Sequence, residues 1–581
     1  MASRGTCNPS CGPIFAVLFV LKQLAERVGL LRVLGTERWA KLVLFLVLAR
    51  VAAQGSRLSA VRWAAQHAVA ETLGLGPFDE DDLYAALDRL AGEQERIEGA
   101  LYRRIVRQRG GAPTVILYDV TSSYVEGACN ELAAFGYNRD KKAGKAQIVI
   151  GLVTPGTGEP VAVQVFDGNT SDPLTVPAQV ETLQTRFGIT EVVFVGDRGM
   201  VKRKGKTVLA AAGYKYITAL TTPQVRKLLR EGVLRPEWFT AHVYEVPHGP
   251  VRLVLRCSEA MRDKAQHRRA DKLAQLDALL TARNAFVQTA KRAKPEAGLR
   301  TLRAWVKRHK LEAFVQVSLD EGQLTATLEP TAQAEAAQLE GCYVLETDVP
   351  QTALDAQTVH DRYCDLHEVE QDFRTMKTGL LEVRPIFVRK ARRTRAHVFV
   401  TMLALQVVRE MRRGLGAAFG TTDDDKMAVT VEDALLAFAR LCLLTYHVLG
   451  TVVTRLPTPD ARQKAILDAL GTPLPLPGAC ATCRQTRLRP LCFIPSMIPE
   501  RYMGWPAQST AEDPPEVTHW LLHQGRCLAC GTLCKATLPA DQVKSLWPMA
   551  DQLRGGDGGH RWREPQCRAS PVYLRMRDTL E

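Results

Sequence analysis

Three acids stand out by their type and position. Asp119 sits at the end of an apolar, β-branched run, Thr114–Val120 (TVILYDV), and Asp197 directly follows another, Glu191–Gly196 (EVVFVG). An ionised carboxylate at the end of a buried strand is costly unless it is paired or bound to metal. Two such carboxylates in one sheet can converge on a divalent cation, which takes hard oxygen ligands. They can equally be turn-forming or salt-bridged aspartates. The third acid, Glu370, lies in YCDLHEVEQDFRTMK, with Tyr363 seven residues before it and Lys377 seven after. Seven residues are nearly two helical turns, with a drift of only about 20°. On one continuous helix Tyr363, Glu370 and Lys377 therefore share a face, and Arg374 lies beside them. Such a face is either a solvated salt-bridge ladder or a metal ligand among phosphate-binding neighbours.

The elements that must position these residues follow from the sequence pattern. Residues 15–110 read as helices, with Trp39–Ala53 a buried amphipathic one. From Pro113 the pattern turns to strands: Thr114–Val120, then Ala146–Val153 and Pro160–Phe166 joined by TPGTGE, a hairpin connector. A helical stretch Leu174–Phe187 leads to Glu191–Gly196 and then to a further strand, Tyr214–Leu220. Strand, hairpin, helix, strand, helix, strand is the order of a mixed α/β sheet covered by helices. Residues 222–356 mix strand-like runs with a charged helix, Ala260–Lys294. One helix is expected from Thr358 to Gly379, with Gly379 as its stop, a second over Ala391–Gly414 and a third over Val431–Leu449.

Composition narrows the class. The 581 residues carry 76 Lys and Arg against 62 Asp and Glu, a formal charge of +14, which favours a polyanionic partner. Hydrophobic residues at 46% and charged residues at 24% exclude a wholly disordered or collagen-like chain. Pro13–Leu21 is too short to span a bilayer and Trp39–Ala53 carries Lys41 and Arg50. The expectation is a cytoplasmic protein with no membrane segment and mostly reduced cysteines. Seven of the 14 cysteines fall in the last 102 residues, so a boundary is expected before them, at the linker Thr472–Gly478.

At this point LYDVTSSYVEG, GYNRDKKAGKAQIVIGLV, FDGNTSD, VVFVGDRGMV and EQDFRTMKTGLLEVRPIFVRKARRTRAHV together resemble a DDE-type transposase of bacterial insertion sequences. The chain is similar to the superfamily with a Tyr-x2-Arg-x3-Glu-x6-Lys signature, which here reads Tyr363, Leu366, Glu370, Lys377; Leu366 departs from the pattern, and Arg374 could compensate. The resemblance implies an RNase H-like (retroviral-integrase-like) mixed sheet with flanking helices, an inserted β-rich subdomain and an N-terminal helical domain. With the sequence pattern it divides the chain into 1–112, helical, either a DNA-binding or a plain helical domain; 113–221, the first part of the catalytic core; 222–356, the insertion; 357–455, the second part with the catalytic helix; and 456–581, a linker and Cys-rich tail.

The resemblance also implies roles. Asp119, Asp197 and Glu370 would hold two Mg²⁺ ions, for which Mn²⁺ can substitute, and so cut phosphodiester bonds. Tyr363, Arg374 and Lys377 would contact DNA, with Lys141, Lys142, Arg392, Arg393 and Arg395 adding to the grip. The implied activity is cleavage of the element's own double-stranded ends and joining of the 3′-OH to target DNA, by a homodimer in the synaptic complex. An RNase H-like nuclease without strand transfer and a catalytically dead DNA-binding remnant are the alternatives. In the tail, Cys527-Leu-Ala-Cys530 offers Zn²⁺ ligand types. The surrounding VTHWLLHQGRCLACGTLCKATLPADQ resembles the zinc-binding segment of a second, unrelated insertion-sequence transposase family. The tail is therefore read as a fused fragment.

Overall fold

The structure of the protein is a computed structural model. It describes residues 10–156, 158–290, 294–422, 427–448 and 451–475, with short strand segments at 488–490, 524–527 and 533–535. The elements run β1 (Ser10–Ile14), α1 (Ala16–Arg27), α2 (Leu30–Leu34), α3 (Arg38–Ala52), α4 (Arg57–Ala64), α5 (Val69–Leu73) and α6 (Glu80–Arg109). Next come β2 (Val115–Tyr124), β3 (Gln147–Pro155), β4 (Ala162–Phe166), α7 (Asp172–Glu181), β5 (Val193–Gly196), α8 (Arg203–Ala211) and β6 (Lys215–Ala219). The insertion holds α9 (Thr222–Arg230), β7 (Tyr244–His248), β8 (Val251–Cys257), α10 (Glu259–Thr289), α11 (Pro295–Arg308), β9 (Val315–Asp320), β10 (Gln323–Leu328), α12 (Pro330–Ala337) and β11 (Cys342–Thr347). Then follow α13 (Ala356–Cys364), α14 (Leu366–Lys377), α15 (Ala391–Phe419), α16 (Val431–Phe438), β12 (Cys442–Val448), β13 (Thr451–Arg455) and α17 (Ala461–Ala469).

Two compact units emerge. The larger comprises Leu24–Trp63 and Leu73–Met411; the other gathers Met1–Gln23, Ala64–Thr72 and Arg412–Glu581. The larger unit is built on an eight-stranded sheet in the order β4-β3-β2-β5-β6-β11-β8-β7. β2, β3 and β4 pair antiparallel, whereas β2–β5 and β5–β6 pair parallel. Parallel neighbours need crossovers, and α7 and α8 supply them. Three antiparallel strands continued by two parallel ones form the RNase H-like mixed sheet that the resemblance implied. The insertion is less separate than expected: its β7, β8 and β11 extend this same sheet, and only β9 and β10 pair apart from it.

The sheet is buried because its sequence is apolar on both faces. Every residue of β3 is buried, as befits a strand flanked on both sides and covered by helices. The core holds Tyr118, Val120, Val149, Val153, Val176 and Phe194. α6 is tied to it by Glu98, which is fully buried and accepts from Gln94 Nε2 at 2.8 Å and from the Val163 N–H at 3.2 Å, and which pairs with Arg186. Gly151 faces the Tyr118 ring so closely that a Cβ there would collide with Tyr118 Oη and ring carbons. Gly151→Ala should therefore cost about 1–3 kcal/mol through overpacking, read as a lower denaturation midpoint; an unchanged midpoint would show that the ring can move aside.

Three expectations need correction. The strand carrying Asp119 does not stop there: β2 runs on through the buried Thr121, Ser122 and Ser123 to Tyr124. The helix expected over Thr358–Gly379 is two helices that meet at Asp365, where the Glu368 N–H reaches the Asp365 carbonyl (3.0 Å) instead of a residue four back. The helix expected over Val431–Leu449 ends at Phe438, and Cys442–Val448 is a strand between β1 and β13 in the smaller unit. Cys527 and Cys530 lie outside the residues whose side chains the structure describes. Among the described residues no single helix is long and apolar enough to cross a membrane. α3 is nearly all buried, as its sequence indicated.

Candidate active site

The register of β2 and β5 sets the site. Tyr118 lies opposite Gly196 in the parallel pair, so the next residue of each strand line, Asp119 and Asp197, emerge side by side. Glu370 comes from α14. Leu366, Val369, Phe373 and Met376 bury one stripe of that helix at i, i+3, i+7 and i+10. The neighbouring stripe, Glu370, Arg374 and Lys377, is left for the cavity. All of these acids and cations line one cavity of about 480 Å³, together with Thr121, Arg139, Asp140, Asp172 and Arg384.

Charge in this cavity is sorted. Lys377 Nζ sits 2.6 Å and an Arg384 nitrogen 2.5 Å from the same oxygen of Asp140, whose side chain is only 2% exposed. The Tyr124 N–H donates to the other Asp140 oxygen at 3.2 Å, and Lys377 also donates to Thr121 Oγ1 at 3.1 Å. Arg139 grips both oxygens of Asp172, at 2.7 and 2.6 Å. Among the described residues, by contrast, Asp119, Asp197 and Glu370 make no ion pair. Asp197 accepts from Tyr363 Oη at 3.2 Å and from the Arg198 N–H at 2.7 Å. Burial, and then the Asp197 charge, raise the Tyr363 hydroxyl well above its ordinary range, so it stays a proton donor.

Asp119 shows the cost of that arrangement. Burial pushes its carboxyl up to about 7, and the charges of Asp197 and Glu370 add to the rise; the Val120 N–H, 2.7 Å away, and Arg139 oppose it. The folded state thus holds this proton more tightly than the unfolded chain. Without metal, stability should fall as pH rises from the ordinary carboxylate range through about 7. Calorimetry in a chelator should give a lower melting temperature at pH 8 than at pH 6, and Asp119→Asn should narrow that gap. An unchanged gap would place the titration elsewhere.

The donor set suits a hard divalent cation: three carboxylates share a cavity with no cation neutralising them. Among the described residues, however, no three His, Cys, Asp or Glu side chains are gathered closely enough to hold an ion between them. Mg²⁺ keeps several waters when bound, so partial ligation by splayed carboxylates is compatible with it.

The other expected residues divide. Arg374 is exposed and lines the cavity. Tyr363 reaches Asp197 from α13, so the single-helix argument for its position was wrong although its contact with the site is real. Leu366, at the signature's Arg position, is buried. Lys141 and Lys142 are exposed on the loop after Asp140, with Lys142 Nζ 5.9 Å from the Tyr124 ring centre. Arg392 and Arg393 are already engaged: Arg392 donates to the Asp88 carbonyl. Arg393 pairs with the Asp88 carboxylate at 2.7 Å and lies 4.8 Å over the Tyr84 ring. They join α15 to α6 instead of standing free for phosphate. Arg395 is exposed.

Asp140 and Arg384 were not singled out by sequence reading. The signal available was an acid in the middle of a basic run, NRDKK.

The mixed sheet thus sets two acids side by side, one after Tyr118 and one after Gly196. The chain's sequence matches the family model of the transposase DDE domain over residues 110–407, just over half its length, and the chain belongs to that family. No curated protein matches it. Among solved structures it is similar to a piggyBac transposase synaptic complex with hairpin DNA, at 10% identity and a TM-score of 0.33, covering 80% of this chain and 84% of that one.

Proposed function

We propose that this transposase cuts the double-stranded ends of its own element by metal-dependent phosphodiester hydrolysis and joins the freed 3′-OH to target DNA. The observation that carries the reading is the sorting of charge. Of the five acids lining the cavity, two are neutralised by cations, and the three left free are those on β2, after β5 and on α14.

Asp119, Asp197 and Glu370 would hold Mg²⁺, or Mn²⁺ in its place. The bound ions would activate the attacking oxygen and stabilise the leaving one. The rest falls to the chain's own side chains. Lys377, fixed between Asp140 and Thr121, presents a positive charge to a phosphate entering the cavity. Arg384 reinforces it from the same acid. Tyr363 holds Asp197 by a donated hydrogen bond and so fixes which oxygen stays free. Two such protomers, one per DNA end, would form the synaptic complex.

The test is incubation of the purified chain with labelled element-end duplex and Mg²⁺, followed by pre-nicked ends with target DNA. Nicked product and joined product are expected. A folded protein that cleaves no end duplex with Mg²⁺ or Mn²⁺ would overturn the reading. Cleavage without joining would leave a nuclease.

Every residue given a role lies between Asp119 and Arg384, so a chain ending at Pro475 should keep its nicking activity. Loss of nicking with an unchanged melting curve would show that residues after Pro475 serve the reaction.

A further inference from the structure

Net charge is not spread evenly along this protein. Residues 259–310 hold 14 Lys and Arg against five Asp and Glu, a net +9 out of +14 for the whole chain. Residues 311–356 hold nine Asp and Glu and no Lys or Arg. The switch falls inside one packed module. α10 and α11 carry the positive segment, and β9, β10 and α12 lie in the negative one. The two are clamped by a common core of Leu276, Leu302, Val306, Phe314, Val317 and Leu324.

α11 has two distinct faces. Gly298, Leu302 and Val306 are buried against the hairpin. Arg300, Arg303 and Lys307 stand at i, i+3 and i+7 away from that buried stripe, all exposed, with Arg308 exposed beside them. Arg303 Nε donates to the Val317 carbonyl at 3.2 Å. Among the described residues, no ion pair involves Arg300, Arg303, Lys307 or Arg308. None of these residues lines the catalytic cavity. Of the acids in the following segment, Glu340 pairs with Arg269 on α10, Glu346 with Lys206 and Asp348 with Lys215, and among the described residues none pairs with the stripe.

We propose that this stripe is a second DNA-binding surface, which grips the phosphate backbone of duplex DNA outside the catalytic cavity. The inference rests on the reading of the chain as a DNA-cleaving transposase and adds to it a site that the cavity does not supply. From Arg300 to Lys307 the helix rises about 10.5 Å. Duplex DNA carries one charge per about 1.7 Å of axis, so that length spans roughly six phosphates, enough for each cation to meet one. The exposed acids of the hairpin and α12, Asp320, Glu321, Glu329 and Glu335, repel the same polyanion and leave the helical side as the one it can approach. A protein partner would gain little from such a stripe, because exposed ion pairs contribute only about 0–1 kcal/mol each. A polyanion adds counterion release for every cation engaged.

The test uses the full-length chain and element-end duplex long enough to extend beyond the nicked position. Affinity is measured between 50 and 200 mM salt for the wild type, for Arg300→Gln/Arg303→Gln/Lys307→Gln, and for Arg300→Gln/Lys307→Gln, which keeps the Arg303 bond to the hairpin. Melting curves verify folding, and sedimentation reports association. Each phosphate contact contributes a slope of about 0.9. The triple variant should therefore lose about 2.7 from the slope of log K against log salt, and the wild type should lose about 40-fold more affinity than the variant over that range. The double variant should lose about 1.8. Metal-dependent nicking by the wild type verifies the reading on which the proposal rests. If the wild type nicks and both folded variants keep its slope, the stripe is only a solvated face and this inference alone fails. An unchanged slope with altered sedimentation would assign the face to a protein contact and equally overturn it. A wild type that neither binds nor nicks the duplex overturns both.

Discussion

Asp119→Asn, Asp197→Asn and Glu370→Gln should each lower the nicking rate by at least about 100-fold, or about 2.7 kcal/mol of transition-state stabilisation. Each substitution removes a charge from the three carboxylates that no cation neutralises, and two remaining acids cannot hold two divalent ions as three would. DNA binding should move the other way. In a chelator these carboxylates repel a phosphate entering the cavity, so removing one should leave affinity equal or tighter, while Lys377 and Arg384 remain in place on Asp140. That opposition between rate and affinity separates the loss of a metal ligand from general damage to the site, which would weaken both. Asp167 is exposed and lies outside the cavity lining, so Asp167→Asn should cost little. A loss of nicking in Asp167→Asn equal to that in Asp119→Asn, or a loss of DNA affinity in all three acid variants, would overturn the assignment.

The strands of the core were legible because each is a short β-branched run bounded by turn residues, and their alternation with helices fixed the mixed sheet. Two of the proposed acids stood out where apolar runs give way to polar residues; Glu370 stood out by its seven-residue spacing from Tyr363 and Lys377, of which only Lys377 shares its helix. What escaped reading depends on long-range partners. Cys442–Val448 is apolar enough for either helix or strand, and its pairing with Ser10–Ile14, more than four hundred positions away, goes with the strand. The break at Asp365 has no proline or glycine to announce it. The pairing of Asp140 with Lys377 and Arg384 joins residues over two hundred positions apart, and in sequence Asp140 reads only as one acid among cations. Arg392 and Arg393 looked like a phosphate grip because Asp88, their partner, is three hundred positions upstream.

Asp140→Asn should weaken Mg²⁺ binding and nicking together, by about 10–100-fold, the size of effect that groups around a ligand set have without belonging to it. Asp140 touches no catalytic acid in this structure; it holds Lys377 and Arg384, both partly buried. Burial lowers the Lys377 pKa and Asp140 opposes that shift, so the ammonium relies on this carboxylate to remain charged and in position. Without it, two cations in the same cavity turn to Asp119 and Glu370, which among the described residues make no ion pair, and compete there with the divalent ion. The consequence is specific. Raising the Mg²⁺ concentration should recover much of the lost nicking, because the competition is for shared ligands. Metal affinity, measured by calorimetry, should return toward the wild-type value in Asp140→Asn/Lys377→Met, where one competing cation has been removed, although nicking in that variant stays low for want of Lys377. If the double variant binds metal no better than Asp140→Asn, the cations are not the competitors, and this account of Asp140 is wrong.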